Sequence, residues 1–340
     1  MYRLLSFFIV LLLLGGCAEK QPGESVSQTR LLLDTYCGIT VHGSVDTGLL
    51  DEAFALIEEY EALFSITVEG SDVWRINHAG GVPVTVDPRT IEVIGTGLVF
   101  GELSGGMFDI TIGRLSRLWD FGGSAVPSGI ELTEALRTVD FRQVHIDENS
   151  VQLLIPDASI DLGAIAKGYI GDKIAEFLLS RGVSSALIDL GGDVVAVGSR
   201  EGESPWRIGI RDPFGGDDGG GASVGSSTGN GLLGAIEVTG ASVISSGTYE
   251  RRFEIDGKNY HHILDPNTGM PVTSDVVSAT VVTGSALIGE GLSTMAVLMG
   301  SESAPLLFSG VPDFIGAVLV LENREIVVLG DIKLVGSLIY

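Results

Sequence analysis

The sequence predicts a fold that combines helices with strands, and three stretches of the chain support this. Residues 160–193 read as a short strand, a turn punctuated by glycine, a helix and a buried strand that ends in a second glycine turn. Before this central unit apolar residues recur at helical spacing, and after it they follow strand patterns. The 340 residues suffice for one large domain or two ordinary domains.

Two long helices are predicted before the central unit. Asp46 is a plausible N-cap for a helix that extends to residue 63, and Gly105-Gly106 ends a second helix over residues 88–104. Other predicted elements are a strand over residues 31–43 interrupted at Cys37-Gly38, a loop over 64–77, a strand-like run over 107–112, a short helix over 132–136 and paired strands over 143–160.

The central unit carries charged residues at its turns. Asp161 and Lys167 lie at one end and Asp189 and Asp193 at the other, beside glycines that allow a ligand to approach the backbone. A purely structural crossover would explain the helix and strands equally well. It would not explain why carboxylates and glycines accumulate at the turns, so we favour a functional interpretation.

Strands predominate after the central unit. They are predicted over residues 194–197, 206–211, 235–238, 242–245 and 277–283, and Asp256-Gly257 is the turn of a hairpin over 251–262. Residues 214–234, rich in glycine and serine, are expected to be an insertion in a surface loop. A helix over residues 286–299 and a hairpin around Glu322-Asn323 complete the chain.

Composition excludes one class of partner. The hydrophobic content of 45% is typical of a globular protein, and the net charge is −24. A surface this acidic repels phosphate backbones, so no nucleic-acid partner is expected. A phosphate-bearing ligand would need a local cation, either a metal ion or a placed lysine.

The N-terminus predicts export. Arg3 precedes an apolar run over residues 4–14 that is too short to span a bilayer, so residues 1–16 read as a signal peptide. The run ends in Leu-Gly-Gly-Cys, which resembles a bacterial lipobox and predicts lipidation of Cys17; the alternative is an ordinary signal peptide with a chance cysteine. Residues 17–30 would then be a flexible tether, and the protein a membrane lipoprotein facing the periplasm or the cell exterior.

Two further groups of residues could carry chemistry. His261 and His262 precede a turn at residues 265–269, and because side chains alternate along a strand, only one histidine can face a given pocket. Glu290 and Thr294 share a helix face and suit Mg²⁺, although such a pair is also common on helix surfaces. Ligand spacing does not support zinc, and residues 245–248 lack the glycine pattern of a serine hydrolase.

Four motifs together resemble the FAD:protein FMN transferases of the ApbE family. In chain order they are IDLGAIAKGY, ALIDLGGDVVAVG, SSGTYERRFEIDGKNYHHILDPNTGMPV and GLSTMAVLMG. The resemblance extends from about residue 31 to residue 329. It implies an α+β fold with mixed sheets and packed helices around one flavin cleft, in a transferase domain over residues 31–340.

The resemblance also implies the reaction. Family members cleave the pyrophosphate of FAD with Mg²⁺, transfer FMN to a threonine or serine hydroxyl of a target protein and release AMP. Typical targets are subunits of membrane redox complexes. The alternatives are an FAD pyrophosphatase that yields FMN and AMP, and a flavin-binding lipoprotein without turnover.

Site residues follow from the family motifs. The metal ligands would be the backbone carbonyl of Ala164 and the side chains of Glu290, Ser293 and Thr294. The FAD contacts would be Asp161, Lys167, Met107, Phe108, Asp109, Thr67, Val68, Glu69, Cys37 and Leu264.

Two positions depart from the family pattern. Glu290 replaces the usual aspartate, which puts metal affinity and geometry in question, and Cys37 replaces the usual methionine. The acceptor hydroxyl needs a base, for which His262 is the candidate. Magnesium, assisted by Lys167, would neutralise the pyrophosphate and stabilise the leaving AMP.

Overall fold

The computed structural model describes residues 25–43, 46–121, 125–200, 204–215, 231–336 and 338. The α-helices in these ranges are α1 (Thr47–Phe64), α2 (Asp72–Asn77), α3 (Pro88–Leu103), α4 (Gly113–Leu118), α5 (Gly129–Leu136), α6 (Ala166–Ser180) and α7 (Ala286–Phe308). The strands are β1 (Ser25–Leu32), β2 (Thr35–His42), β3 (Val84–Thr85), β4 (Val144–Asp147), β5 (Ser150–Leu153), β6 (Ala186–Leu190), β7 (Asp193–Val197), β8 (Trp206–Arg211), β9 (Leu232–Val238), β10 (Ser242–Gly247), β11 (Arg252–Ile255), β12 (Lys258–His261), β13 (Val276–Thr283), β14 (Phe314–Leu321), β15 (Ile326–Gly330) and β16 (Lys333–Val335).

The largest sheet has eight strands in the order β1-β2-β6-β7-β10-β13-β14-β15. Smaller sheets pair β11 with β12, β9 with β16 and β8, and β5 with β3 and β4. Neighbouring strands in these sheets are antiparallel, and a parallel contact occurs at the bridge between Ile112 and Ser159. The predicted α+β class is confirmed.

The eight-stranded sheet is buried on both faces. Ile188, Val195 and Ile244 belong to the core that includes the long helices. Val194 and Val243, which alternate with them along the strands, pack with β8 and β9 on the opposite face. This arrangement places α6 and α7 side by side on one face of the sheet, over the ends of β7 and β10.

Helix ends follow the side chains that the sequence provides. Asp46 accepts a hydrogen bond from the Gly48 amide at the start of α1, and Asp87 caps α3, whose first residue is proline. α6 ends at Ser180, its C-cap is Arg181, and Gly182 follows with a φ of +81°. The predicted starts of α1 and α3 are confirmed.

The first two strands form a hairpin instead of one interrupted strand. Leu33 and Asp34 turn the chain with φ values of +55° and +56°, whereas Cys37-Gly38 lies within β2. The prediction of a tether as far as Arg30 is also wrong for its last six residues, because β1 begins at Ser25 and pairs with β2.

Two predictions of local structure are overridden by side-chain hydrogen bonds. Residues 107–112 form turns instead of a strand-like run, because the Asp109 carboxylate accepts from the amide and hydroxyl of Thr111 and from the Phe141 amide. The predicted loop over 64–77 contains α2, which Ser71 caps by accepting from the Trp74 amide at 2.9 Å.

The helix predicted over residues 286–299 is the first part of α7. Gly300 has a φ of +78° and kinks the helix, which then continues to Phe308. The predicted signal peptide, Cys17 and most of the glycine-rich insertion lie outside the described residues, and β9 begins at Leu232, inside the range predicted as insertion. No helix in the described part of the chain is long and apolar enough to cross a membrane.

Candidate active site

The N-terminus of α6 packs directly against α7 at Gly168. A Cβ atom at this position would lie 2.4 Å from the Ala286 carbonyl oxygen. The Gly168 amide donates a hydrogen bond to the Glu290 carboxylate. The glycine therefore lets the start of α6 approach the turn of α7 that carries this glutamate.

Lys167 connects carboxylates from two other elements. Its ammonium group forms an ion pair with Asp193 at the start of β7 and lies 3.5 Å from a carboxylate oxygen of Glu290. The two carboxylate side chains are 6% and 5% exposed, whereas that of Lys167 is 31% exposed. The cluster is therefore open to solvent on the lysine side.

Negative groups outnumber positive ones in this cluster. Burial raises the pKa of Glu290, with Lys167 opposing the shift and Asp193 adding to it. Burial also raises the pKa of Asp189, and the charge of Asp193 adds to that shift. Burial lowers the pKa of Lys167, but the neighbouring carboxylates outweigh it and raise that pKa above its usual value. The residual negative charge favours a further cation.

Hydroxyl groups gather on the same part of α7. The Ser246 hydroxyl of β10 lies 2.8 Å from that of Ser293 and 3.2 Å from that of Thr294. The amide of the preceding residue, Ser245, donates to Asp193 at 3.4 Å. β10 therefore links the hydroxyls of α7 to the ion pair at the start of β7.

The carbonyl of Ala164 belongs to the same part of the structure, which we call the corner: the place where the starts of α6 and β7 meet β10 and the turn of α7 that carries Glu290. In a regular helix the Gly168 amide would donate to this carbonyl, four residues earlier, but here it donates to Glu290. Ala164 lies in the turn before α6, and the N-cap residue Ile165 provides no side-chain cap. Because the Gly168 amide donates to Glu290 instead, the Ala164 carbonyl oxygen remains available as an acceptor at the start of the helix, on the turn that leads to Lys167.

Asp161 lies beside the loop that follows α3. Its amide donates to the Ile110 carbonyl at 2.8 Å, and its carboxylate accepts from the Ser116 hydroxyl at 2.8 Å. In the same loop the Met107 sulfur lies 3.4 Å from the side-chain nitrogen of Asn267. The loop, Asp161 and the turn that contains Asn267 therefore form one continuous surface.

The two adjacent histidines have different surroundings. His261 is buried, and its Nε2 lies 3.2 Å from the Val272 carbonyl oxygen. His262 is half-buried, and its Nδ1 has no hydrogen-bond partner among the described residues. Burial lowers the pKa of His262 to about 4, and the positive charges of Arg251 and Lys167 also contribute. The His262 imidazole is therefore neutral at pH 7 and lies within electrostatic range of Lys167.

Comparison with known proteins assigns the chain to a family. The sequence model of the ApbE family matches residues 33–317. The chain belongs to the ApbE family. It is 33% identical over 334 residues to the FAD:protein FMN transferase of Treponema pallidum (strain Nichols), covering 92% of this chain and 89% of that protein. It is 36% identical over 289 residues to the FAD:protein FMN transferase of Klebsiella pneumoniae (strain 342), covering 84% and 85%.

Solved structures of ApbE proteins share the fold. The ApbE protein of Thermotoga maritima MSB8 superimposes with a TM-score of 0.79 at 31% identity, over 91% of this chain and 97% of that one. The flavin transferase ApbE from Vibrio cholerae gives a TM-score of 0.76 at 26% identity, over 93% and 99%. The resemblance predicted from the four motifs is confirmed.

The structure brings together part of the site expected for an ApbE protein. Lys167, Glu290, Ser293 and Thr294 converge with the turn that contains Ala164. Asp161 and the Met107 loop form the adjoining surface.

The remaining expected contacts lie elsewhere or are covered. Cys37 is fully buried in the main core and donates to the Leu32 carbonyl at 3.5 Å, and Leu264 is buried in a separate apolar cluster around Trp119. Phe108 and Asp109 are also buried, whereas Thr67, Val68 and Glu69 are exposed in the turn after α1. Contact of the buried side chains with a ligand would require their neighbours to move.

Two residues at the centre of the site were given no place in it by the sequence. The sequence places Asp193 beside the glycine turn without indicating a role, and Ser246 belongs to a segment that lacks the pattern of a hydrolase nucleophile. The signal for Asp193 was its position directly after Gly191-Gly192 at a strand start. For Ser246 it was the alternation with buried Ile244 along β10, which places both on the face covered by α7.

Proposed function

We propose that this ApbE protein is a Mg²⁺-dependent transferase that moves FMN from FAD to a threonine or serine hydroxyl of a target protein and releases AMP. The observation that carries the proposal is the convergence of Lys167, Asp193 and Glu290 with the hydroxyls of α7 and β10 at one partly open corner. The Treponema and Klebsiella relatives named FAD:protein FMN transferase support it.

The donor atoms of this corner fit a hard cation. Glu290, Ser293, Thr294 and the Ala164 carbonyl offer only oxygen, which Mg²⁺ prefers. Within the described residues, no three His, Cys, Asp or Glu side chains form a ready-made metal cluster. Phosphate oxygens of FAD and water would therefore complete the coordination. When bound, magnesium would offset the pyrophosphate charge and stabilise the charge that develops on the leaving AMP.

Lys167 is the cation that the chain itself contributes. Its ammonium group, held between Asp193 and Glu290, would offset part of the negative charge that these carboxylates and a bound pyrophosphate bring together, on a protein whose net charge is −24. Asp161 and Met107, on the adjoining surface, would contact FAD and hold its phosphates over this corner.

His262 would act as the base. A threonine hydroxyl is a weak nucleophile until its proton is removed. The imidazole is neutral, and its Nδ1 is buried without a hydrogen-bond partner among the described residues, so an acceptor hydroxyl would have to displace the atoms that cover it. As the hydroxyl oxygen bonds to the phosphorus of the FMN moiety, its proton would pass to His262. The bond from that phosphorus to the AMP oxygen would break at the same time.

We also propose where the protein works. The apolar run over residues 4–14 and the Leu-Gly-Gly-Cys sequence support lipidation at Cys17 and attachment to a bacterial membrane, on the periplasmic side or the cell exterior. Such an anchor would bring the site near its targets, which we propose to be subunits of membrane redox complexes.

The decisive test is covalent labelling of a target. The purified chain is incubated with FAD, Mg²⁺ and a redox-complex subunit that carries the acceptor threonine, and the denatured band is examined for flavin fluorescence. Fluorescence that requires Mg²⁺ and disappears in a Thr→Val target supports the transferase. Free FMN without a labelled band indicates an FAD pyrophosphatase, and FAD binding without either product indicates a non-catalytic flavin-binding lipoprotein.

A further inference from the structure

Asp172 caps the helix that carries Glu290. From the second turn of α6, its carboxylate accepts hydrogen bonds from the Ser285 hydroxyl at 2.6 Å, the Ala286 amide at 2.7 Å and the Leu287 amide at 3.1 Å. The first amides of a helix lack partners within the helix, and a carboxylate there also interacts favourably with the helix dipole. The start of α7 is therefore held by a side chain of α6.

A second contact fixes the same two helices one turn away. Gly168 precedes Asp172 by four residues, and Glu290 follows Ala286 by four, so each pair lies on one helix face. The Gly168 amide donates to Glu290, and a Cβ on Gly168 would lie 2.4 Å from the Ala286 carbonyl oxygen. The cap and the glycine contact thus hold α7 against α6 at two successive helical turns.

We propose that Asp172 is a positioning residue for the metal-binding groups. By holding the start of α7 against α6, it keeps the Glu290 carboxylate beside Lys167 and the turn that contains Ala164. Without the cap, the polar contacts between the Glu290 carboxylate and α6, within the described residues, would be those to the Gly168 amide and to Lys167. The inference rests on the proposed function, which assigns Glu290 and Ala164 to magnesium.

The distal part of α7 offers a matched control. Asp275 accepts from the Ser301 amide at 3.0 Å and from the Ser301 hydroxyl, directly after the kink at Gly300. It therefore caps the second segment of the same helix, well beyond Glu290. An Asp→Asn substitution at either position keeps the shape of the side chain and one acceptor oxygen.

The test compares Asp172→Asn and Asp275→Asn with the unaltered chain. Binding of Mn²⁺ is measured by electron paramagnetic resonance with ADP, whose pyrophosphate cannot donate FMN, and the Mg²⁺ dependence of FAD turnover is measured separately. We expect Asp172→Asn to weaken Mn²⁺ binding and to raise the half-saturating Mg²⁺ concentration at least fivefold. Its kcat at saturating metal should fall less than threefold. Asp275→Asn should lower Tm while changing both metal measurements less than twofold.

Other outcomes overturn the inference. If both variants lower Tm and leave metal binding unchanged, Asp172 is only a helix cap, and a fall in kcat with unchanged metal binding also contradicts a positioning role. If Asp172→Asn does not fold, Ser285→Ala removes one donor to Asp172, together with the acceptor of the Ile288 amide at 3.4 Å, and should shift metal binding in the same direction; no shift overturns the inference.

The unaltered chain separates this inference from the proposed function. If it shows neither Mn²⁺ binding nor FAD turnover, the proposed function is wrong and the inference falls with it. If it shows both, and Asp172→Asn behaves like Asp275→Asn, only the inference is wrong.

Discussion

The amide of Gly168 donates to the carboxylate of Glu290, 122 residues further along the chain. This contact joins the helix that presents Lys167 to the helix that presents Thr294. The resemblance to the family implies aspartate at position 290, which is one methylene shorter than glutamate. The longer side chain thus allows the carboxylate to contact the start of α6 while it remains 3.5 Å from the lysine ammonium group.

Substitution of Glu290 should separate charge from length. Glu290→Gln removes the carboxylate charge, and we expect the half-saturating Mg²⁺ concentration to rise at least tenfold, equivalent to about 1.4 kcal/mol of binding free energy. Glu290→Asp keeps the charge and should keep metal-dependent turnover. Titration of FAD turnover with Mg²⁺ checks both variants, and equal metal dependence in Glu290→Gln and the unaltered chain would exclude Glu290 as a ligand.

Gly168→Ala should destabilise the protein. The added methyl group would lie 2.4 Å from the Ala286 carbonyl oxygen, which belongs to the backbone and cannot rotate away. Overpacking of this kind costs about 1–3 kcal/mol. Urea unfolding measures the change, with Gly95→Ala as the control.

The control substitution should have the opposite effect. Gly95 lies inside α3, and a Cβ there would meet no atom within 4 Å. Alanine in a helix interior is favoured over glycine by about 1 kcal/mol, so Gly95→Ala should stabilise the protein or leave it unchanged. Similar stabilities for the two variants would show that the close approach at Gly168 is not required.

The sequence predicted those helix ends that are fixed by residues close to them along the chain. The starts of α1 and α3 follow from Asp46 and Asp87, each of which caps an amide two residues ahead. The hairpin turn at Leu33-Asp34 could not be predicted, because leucine rarely adopts positive φ and no glycine follows Asp34. The turns after Met107 were missed because they depend on the bond from the distant Phe141 amide to Asp109.

Residue patterns singled out members of the site one by one, but they did not predict that these residues meet. Lys167, Asp193 and Glu290 lie on α6, β7 and α7, and no periodicity in the sequence indicates that these elements meet. Residue patterns and motifs gave roles to Lys167 and Glu290, but none to Asp193, which becomes a partner of Lys167 only when β7 and α6 pack together. The role of Gly168 likewise depends on a helix contact that only the folded chain shows.

Cys37 should be unreactive in the folded protein. Burial raises the pKa of its thiol to about 11, and the negative charge of Asp189 adds to the shift. At pH 8 the reactive thiolate is therefore scarce as well as inaccessible. In a Cys17→Ser variant, a disulfide reagent should label Cys37 only after denaturation. Rapid labelling of the native protein, with protection by FAD, would instead indicate that Cys37 contacts the cofactor.

Substitution of His262 tests its proposed role as the base. His262→Ala removes the proposed base, so FMN transfer should fall at least about a hundredfold, while the Kd for FAD changes less than threefold. His145, which is exposed on β4, provides the control His145→Ala with unchanged transfer. Loss of FAD binding in His262→Ala would mean that the residue is structural.

The acid limb of the pH profile tests the same residue. Burial holds the pKa of His262 at about 4, below the usual 6.5 of histidine. His262 is therefore neutral and able to accept a proton at any pH above that value. The part of kcat/KM that depends on this base should be lost only as the pH falls toward 4. The lowered pKa of His262 also affects stability, because the unfolded chain binds a proton at this histidine more readily than the folded chain does. The stability that the neutral, buried His262 contributes is fully present above pH 6.5 and is lost as the pH falls through the folded-state pKa. Because Glu290, with its raised pKa, can also produce a limb near neutral pH, only a limb near pH 6.5 that disappears in His262→Ala would show that the imidazole is solvated instead of buried. Because His262→Ala cannot be protonated at this position, its unfolding free energy should depend less steeply on pH between 6.5 and 4 than that of the unaltered chain.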